Sequence, residues 1–245
     1  MLLGRFAFQD QIFNGIVQDN QVLPQEGFKS SGTTLALEEL KILPPCQPSK
    51  IIGVGLNYQK HIQELDFSRP EQPVLFFKPP TALIGSGEQI LLPSSSSQVE
   101  YEGELAVVIG ALTNQVSIQE AENYILGYTI ANDVTARDLQ KKDGQWTRSK
   151  SFNTFLPLGP FIQTELNPQA VTVKTFLNGE LRQNGNTRNL IFSVAELVSF
   201  ISNIMTLLPG DVIITGTPAG VGVLQSQDLI EVEIAGIGRL KNRVR

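Results

Sequence analysis

The chain of 245 residues carries 19 Lys+Arg against 24 Asp+Glu, a formal net charge of −5, and 41% of its residues are hydrophobic. That apolar fraction excludes a disordered chain, and the absence of a basic excess leaves nothing to neutralise a phosphate backbone, so no nucleic-acid partner is expected. The single cysteine, Cys46, excludes an internal disulfide and any CxxC zinc or redox pair, leaving a small-molecule role as the expectation.

Met1-Leu2-Leu3 meets Arg5, Gln9 and Asp10 too early for a signal-peptide core, so a cytoplasmic protein is expected. Residues 1–46 read as a small N-terminal β region of short strands closed by Pro44-Pro45, and residues 47–245 as the part that carries the chemistry. Hydrophobic, β-branched runs predict strands at 51–54, 74–77, 105–109, 171–177, 212–214 and 229–234. Asn178-Gly179 marks a hairpin. A short helix is expected to start at Ser117, with Glu120 three residues on. A longer one spans 192–208, where Val194, Leu197, Val198, Ile201, Ile204, Met205 and Leu208 recur at helical spacing. Ser193 and Glu196 supply its capping box and Pro209-Gly210 its stop. Ser193, Glu196, Ser199, Ser202 and Asn203 interrupt that run, so no membrane span is expected.

The acids are the residues that ask for an explanation. If Glu100-Tyr101-Glu102-Gly103-Glu104 is one strand, period two places Glu100, Glu102 and Glu104 on a single face, either solvated or compensated by a cation. Asp133 ends the largely apolar segment 127–132, either as a strand-end cap or as a further ligand. All-oxygen donors suit Mg²⁺ or Mn²⁺ rather than zinc. His61 is the only histidine; on a helical turn it shares a face with Glu64, as a candidate general base or as an ordinary surface pair. Arg137 and Gln140, three apart on a turn that Thr135 and Asp138 would cap, suit a substrate carboxylate or simply water. Lys150 is a candidate acid, base or oxyanion partner, and residues 215–220 could offer backbone N–H groups to an anion. Gly53-Val54-Gly55 and Gly220-Val221-Gly222 both lack the third glycine of a dinucleotide fingerprint.

Taken in order, several segments resemble the fumarylacetoacetate hydrolase superfamily from about Ile51 to Val244. They are Gly55-Leu56-Asn57-Tyr58 with His61 and Glu64, Tyr101-Glu102-Gly103-Glu104-Leu105-Ala106, residues 132–138, Lys150-Ser151-Phe152, and Thr215-Gly216-Thr217-Pro218. The resemblance implies a mainly β fold with few helices: a mixed β-sandwich roll as catalytic domain, preceded by a small N-terminal β layer and normally dimeric. By match of motif it places metal ligands on Glu102, Glu104 and Asp133, a hydrolytic dyad on His61 and Glu64, and the active-site lysine on Lys150. Substrate contacts fall on Arg137, Gln140 and Thr217, and Glu100 is left out of the metal's ligand set. The chain departs from the common pattern at Asn153 and at Asn189-Leu190.

The expected reaction on this resemblance is Mg²⁺- or Mn²⁺-dependent hydrolysis of a C–C bond in acylpyruvate-like 2,4-dioxo acids. Water is activated by His61 and Glu64, and the metal stabilises an enolate product. Enolate stabilisation serves equally for oxaloacetate decarboxylation and for tautomerisation or isomerisation of oxaloacetate or 2-hydroxy-dienoates. A non-enzymatic β-rich interaction protein is the remaining alternative; it requires Glu102, Glu104 and Asp133 to diverge in space.

Overall fold

Strand Gly103–Ile109 is buried along its whole length, and its alternation explains how. Leu105, Val107 and Ile109 enter one apolar cluster, while Ala106 and Val108 enter another on the opposite face. A strand covered on both sides needs a layer on each, and the computed structural model, which describes residues 1–25, 27, 33–64 and 68–245, provides them.

Among the described residues the strands form sheets of twelve, five and three. In the largest sheet Ile125–Asn132, Gly103–Ile109, Val212–Ile214, Ile51–Gly55 and Val74–Lys78 are successive neighbours, with Val212–Ile214 and Ile51–Gly55 parallel. The five-stranded sheet, containing Thr172–Leu177, Leu229–Ile234 and Gly238–Val244, packs on one face through Val173, Val232, Ile234 and Leu240. Gly103 allows the approach, because a Cβ there would lie 2.2 Å from Thr175 Oγ1. The fold is thus mainly β with few helices, as expected, and the N-terminal strands extend the same large sheet. Leu2–Phe8 pairs with Leu156–Gln163 at Leu2↔Gln163 and Leu3↔Ile162.

Most strand expectations agree with the structure, including the hairpin, in which Asn178 and Gly179 take φ of 54° and 85°. Two helix expectations need correction. The capping box of Ser193 and Glu196 is present, but the helix ends at Ser202. Residues beyond it leave helical geometry so that Leu207 can pair with Thr113 and the Leu208 N–H can reach Asp211. At Ser117 no α-helix starts: its hydroxyl binds Glu120 in a turn, and a single 3₁₀ turn, Ala121–Tyr124, follows. No helix among the described residues is long and apolar enough to cross a membrane.

Candidate metal centre

Antiparallel register brings the acids together. Gly103 pairs with Asn132 and Glu104 with Ala131, so the ends of two neighbouring strands carry Glu104 and Asp133 to one spot. Asp133 shares a strand face with Ala131, and Glu104 with Ala106, both on the second apolar cluster. Glu102 sits at a break between Val99–Tyr101 and Gly103–Ile109, which lie in different sheets. This corrects the single-strand reading of 100–104. The break is held by polar contacts: the Glu102 N–H donates to Asn132 Oδ1 at 2.9 Å, the Asp133 N–H to the Glu102 carbonyl at 2.8 Å, and the Gly103 N–H to Gln183 Oε1 at 3.0 Å.

One carboxylate oxygen from each of Glu102, Glu104 and Asp133 lies within 4.8 Å of the others, and all three residues are buried. The solvated acidic face is therefore excluded, and so is the divergence that a non-enzymatic reading requires. Three cations converge on the same point. Lys150 Nζ donates to Asp133 Oδ2 at 2.5 Å and to Glu102 Oε2 at 2.9 Å. Lys78 Nζ donates to Asp133 Oδ1 at 2.6 Å and to the Val134 carbonyl at 3.1 Å. Arg137 spends all three guanidinium nitrogens: Nε on Glu100 at 2.7 Å, Nη1 on Gln140 Oε1 at 2.6 Å, and Nη2 on Glu102.

Electrostatics separates the two glutamates. Burial opposes ionisation of Glu102, but Lys150 and Arg137 outweigh it and hold this carboxyl well below the usual range. Burial raises the pKa of Glu104, and repulsion from Asp133 and Glu102 adds to it. Glu104 accepts only from the Gly216 N–H, at 2.7 Å, among the contacts of the described residues. For Lys150, burial works against the charge but Asp133 and Glu102 prevail, and the ammonium is held. Four buried carboxylates thus face three buried cations, and Glu104, which borders the cleft together with Glu102 and Asp133, is the one with no cation in hydrogen-bond contact. An all-oxygen donor set one positive charge short fits a hard divalent ion such as Mg²⁺ or Mn²⁺, which Glu102, Glu104 and Asp133 would hold.

The cleft also gathers His61, Gln140, Thr217 and Trp146. Helix α1, Gln59–Glu64, brings His61 Nδ1 to 3.0 Å from Glu64 Oε2, and the other Glu64 oxygen accepts from the Gly220 N–H at 3.0 Å. A carboxylate on Nδ1 leaves Nε2 as the ring nitrogen free to take a proton. Asn57 anchors the segment before α1, donating to the carbonyls of Thr215 and Phe192 and accepting from the Phe192 N–H.

The motif 215–218 is tied into the site by its own contacts. Gly216, at φ +98° and with room for no Cβ beside Asn57, directs its N–H to Glu104. The Thr217 hydroxyl donates to the Gly103 carbonyl at 2.9 Å and accepts from Gln183 at 2.8 Å. The cap assigned to Thr135 and Asp138 is absent: the Thr135 hydroxyl donates to the Asp133 carbonyl, while Asp138 accepts from the Ser96 and Ser97 hydroxyls.

Two contributors escaped the sequence reading. Lys78 lies just past the strand expected at 74–77, and the burial pattern of Val74–Lys78 places it on the face of Phe76. Counting by two from the apolar Phe76 is the signal that finds it. Trp146 carried no chemical signal at all. It packs edge-on to Phe76 at 5.5 Å and walls the cleft on the apolar side.

Comparison with known proteins places this geometry in context. The model of the fumarylacetoacetate (FAA) hydrolase C-terminal region matches residues 50–245, and the Rv2993c-like N-terminal model matches residues 1–45. An uncharacterised protein of Archaeoglobus fulgidus is 53% identical over 242 residues, 98% of this chain and 95% of the relative. A mitochondrial oxaloacetate tautomerase of Rattus norvegicus is 37% identical over 214 residues, 83% of this chain and 68% of that protein. The crystal structure of 5-carboxymethyl-2-hydroxymuconate delta-isomerase from Mycobacterium smegmatis superposes with a TM-score of 0.93 at 44% identity, covering 100% of this chain and 98% of that one.

Proposed function

The chain belongs to the fumarylacetoacetate hydrolase family, and from that premise we propose that it is a divalent-metal-dependent tautomerase or isomerase of 2-oxo acids, with oxaloacetate or a related enolisable acid as substrate. The convergence of Glu102, Glu104 and Asp133 beside Lys150 carries this reading. The names of the rat and mycobacterial relatives favour proton transfer over bond cleavage.

A bound Mg²⁺ or Mn²⁺ would supply Lewis-acid stabilisation of negative charge on the oxygens of a 2-oxo acid. The remaining steps belong to the chain. Lys150, kept protonated by its carboxylates, stands in the cleft as the proton donor to a developing enolate. His61, oriented through Nδ1 by Glu64, takes the proton from the substrate carbon at Nε2 while Lys150 protonates the enolate oxygen; in the enol-to-keto direction both transfers reverse, and proton exchange with solvent resets the two groups after each turnover. The Gln140 amide N–H groups, and the second N–H that each Arg137 Nη keeps beyond its contact to Gln140 or Glu102, act on the substrate carboxylate, and Thr217 borders it. Trp146 and Phe76 keep water from the reacting carbon. Every one of these residues lies in 47–245, which we propose as the catalytic unit.

The test is product analysis with metal-loaded protein on oxaloacetate and on acetylpyruvate. Fast enol–keto exchange of oxaloacetate with no acetate formed from acetylpyruvate is the expected result. Acetate plus pyruvate would instead establish the C–C hydrolase. The intact contact of His61 with Glu64 favours that second reading, because it is the arrangement that would deprotonate an attacking water. Release of CO₂ from oxaloacetate, keeping pace with the loss of substrate, would move the assignment to a decarboxylase.

A further inference from the structure

The proposed reaction assigns no task to Lys78, although its side chain is fully enclosed at the centre. The two oxygens of Asp133 are divided between two lysines. Oδ2 meets Lys150, which borders the cleft, whereas Oδ1 meets Lys78, which does not. Lys78 Nζ is fixed independently of Asp133 by the Val134 carbonyl at 3.1 Å. Withdrawing it would strand a buried ammonium and a buried carbonyl without partners, so Lys78 stays when an ion enters. Lys150 is differently placed, since it reaches its carboxylates from the wall of the cleft and can yield Oδ2.

A carboxylate can ligate through one oxygen or through both. Two-oxygen ligation suits Ca²⁺, which takes 6–8 oxygens at longer distances, while Mg²⁺ demands near-octahedral geometry at about 2.0–2.1 Å. We propose that Lys78 is a positioning residue that withholds Asp133 Oδ1, confines Asp133 to one-oxygen ligation through Oδ2, and thereby sets a preference for small octahedral ions over Ca²⁺. This role rests on the reading of Glu102, Glu104 and Asp133 as metal ligands.

The experiment is calorimetric titration of Mg²⁺ and Ca²⁺ into the chelator-treated full chain, as wild type, Lys78→Met, Lys78→Gln and Asp133→Asn, with thermal melts to confirm folding. Removing a buried positive charge raises the affinity for both divalent ions together, so the ratio of the two affinities is the diagnostic quantity. In Lys78→Met the Ca²⁺-to-Mg²⁺ ratio rises on the order of tenfold, as freeing a constrained ligand oxygen should make it. Glutamine is too short to span both acceptors, so Lys78→Gln shifts the ratio in the same direction and decides alone if the methionine variant does not fold. An unchanged ratio in the folded variant overturns the role of Lys78 while leaving the metal centre standing. Unchanged affinity in Asp133→Asn overturns the metal reading itself, and the role of Lys78 with it.

Discussion

The Glu104 carboxylate and the Gly216 backbone N–H meet at 2.7 Å, and that hydrogen bond, with the more distant charge of Lys150, only partly offsets the burial of Glu104 among Glu102 and Asp133. Its pKa is raised first by desolvation and then by the two neighbouring carboxylates. A raised folded-state pKa means that stability is fully present below the unfolded carboxylate value and is lost as pH rises through the folded value.

Glu104 should therefore contribute a loss of melting temperature to the chelated protein as pH rises from the acidic range towards neutrality, opposite in sign to the depressed Glu102, and saturating Mg²⁺ should abolish that contribution to the slope. Glu104→Gln should remove it without metal and should also weaken Mg²⁺ binding. Melting curves across the pH range, with and without EDTA, provide the check; identical slopes in wild type and Glu104→Gln would contradict the assignment.

His61→Ala should leave Mn²⁺ affinity unchanged, because the imidazole contacts Glu64 rather than the carboxylate cluster. Turnover should fall by on the order of 10²–10⁴, the usual contribution of a positioned proton carrier. Glu64→Gln should give a smaller loss, since it loosens the orientation of the ring without removing it. Calorimetry and steady-state rates on the same preparations separate binding from chemistry.

Trp146→Ala opens the apolar wall against Phe76. A rise in KM with little change in kcat is expected if the indole confines the substrate. An equal fall in kcat and kcat/KM would place it in the reacting step instead.

Asp211 is a stability pin away from the chemistry. Its fully buried carboxylate accepts from the Ser49 and Lys50 N–H groups, the Ser49 hydroxyl, the Leu208 N–H and Lys50 Nζ, the last at 2.5 Å. Burial works to raise its pKa, but these hydrogen bonds overcome it and hold the group below the usual value. A depressed folded-state pKa gives stability above the unfolded value that is lost as pH falls through the folded one. Asp211→Ala should cost about 3 kcal/mol at neutral pH, with a shallower acid loss below about pH 4 than in wild type. Urea unfolding at pH 7 and pH 3 measures both.

What was legible in the sequence follows the range of the interactions. Local signals were clear: β-branched runs located the strands, Asn178-Gly179 the hairpin, and Ser193 with Glu196 the helix start. The end of that helix was not legible, because a distant partner, Thr113, draws Leu207 out of it. The site divides in the same way. Acid types and motif order singled out Glu102, Glu104 and Asp133, but only sheet register shows that Glu102 lies at a break between two sheets. Lys78 reaches Asp133 across 55 positions of sequence, a separation at which spacing carries no information.

The most direct test of the central claim is deuterium exchange at C3 of oxaloacetate in D₂O, followed by NMR with metal-loaded protein, EDTA-treated protein and Glu104→Gln. The carboxylate centre predicts rapid exchange with the loaded protein alone and background rates in the other two. Exchange that persists undiminished after chelation, or in Glu104→Gln, would contradict it.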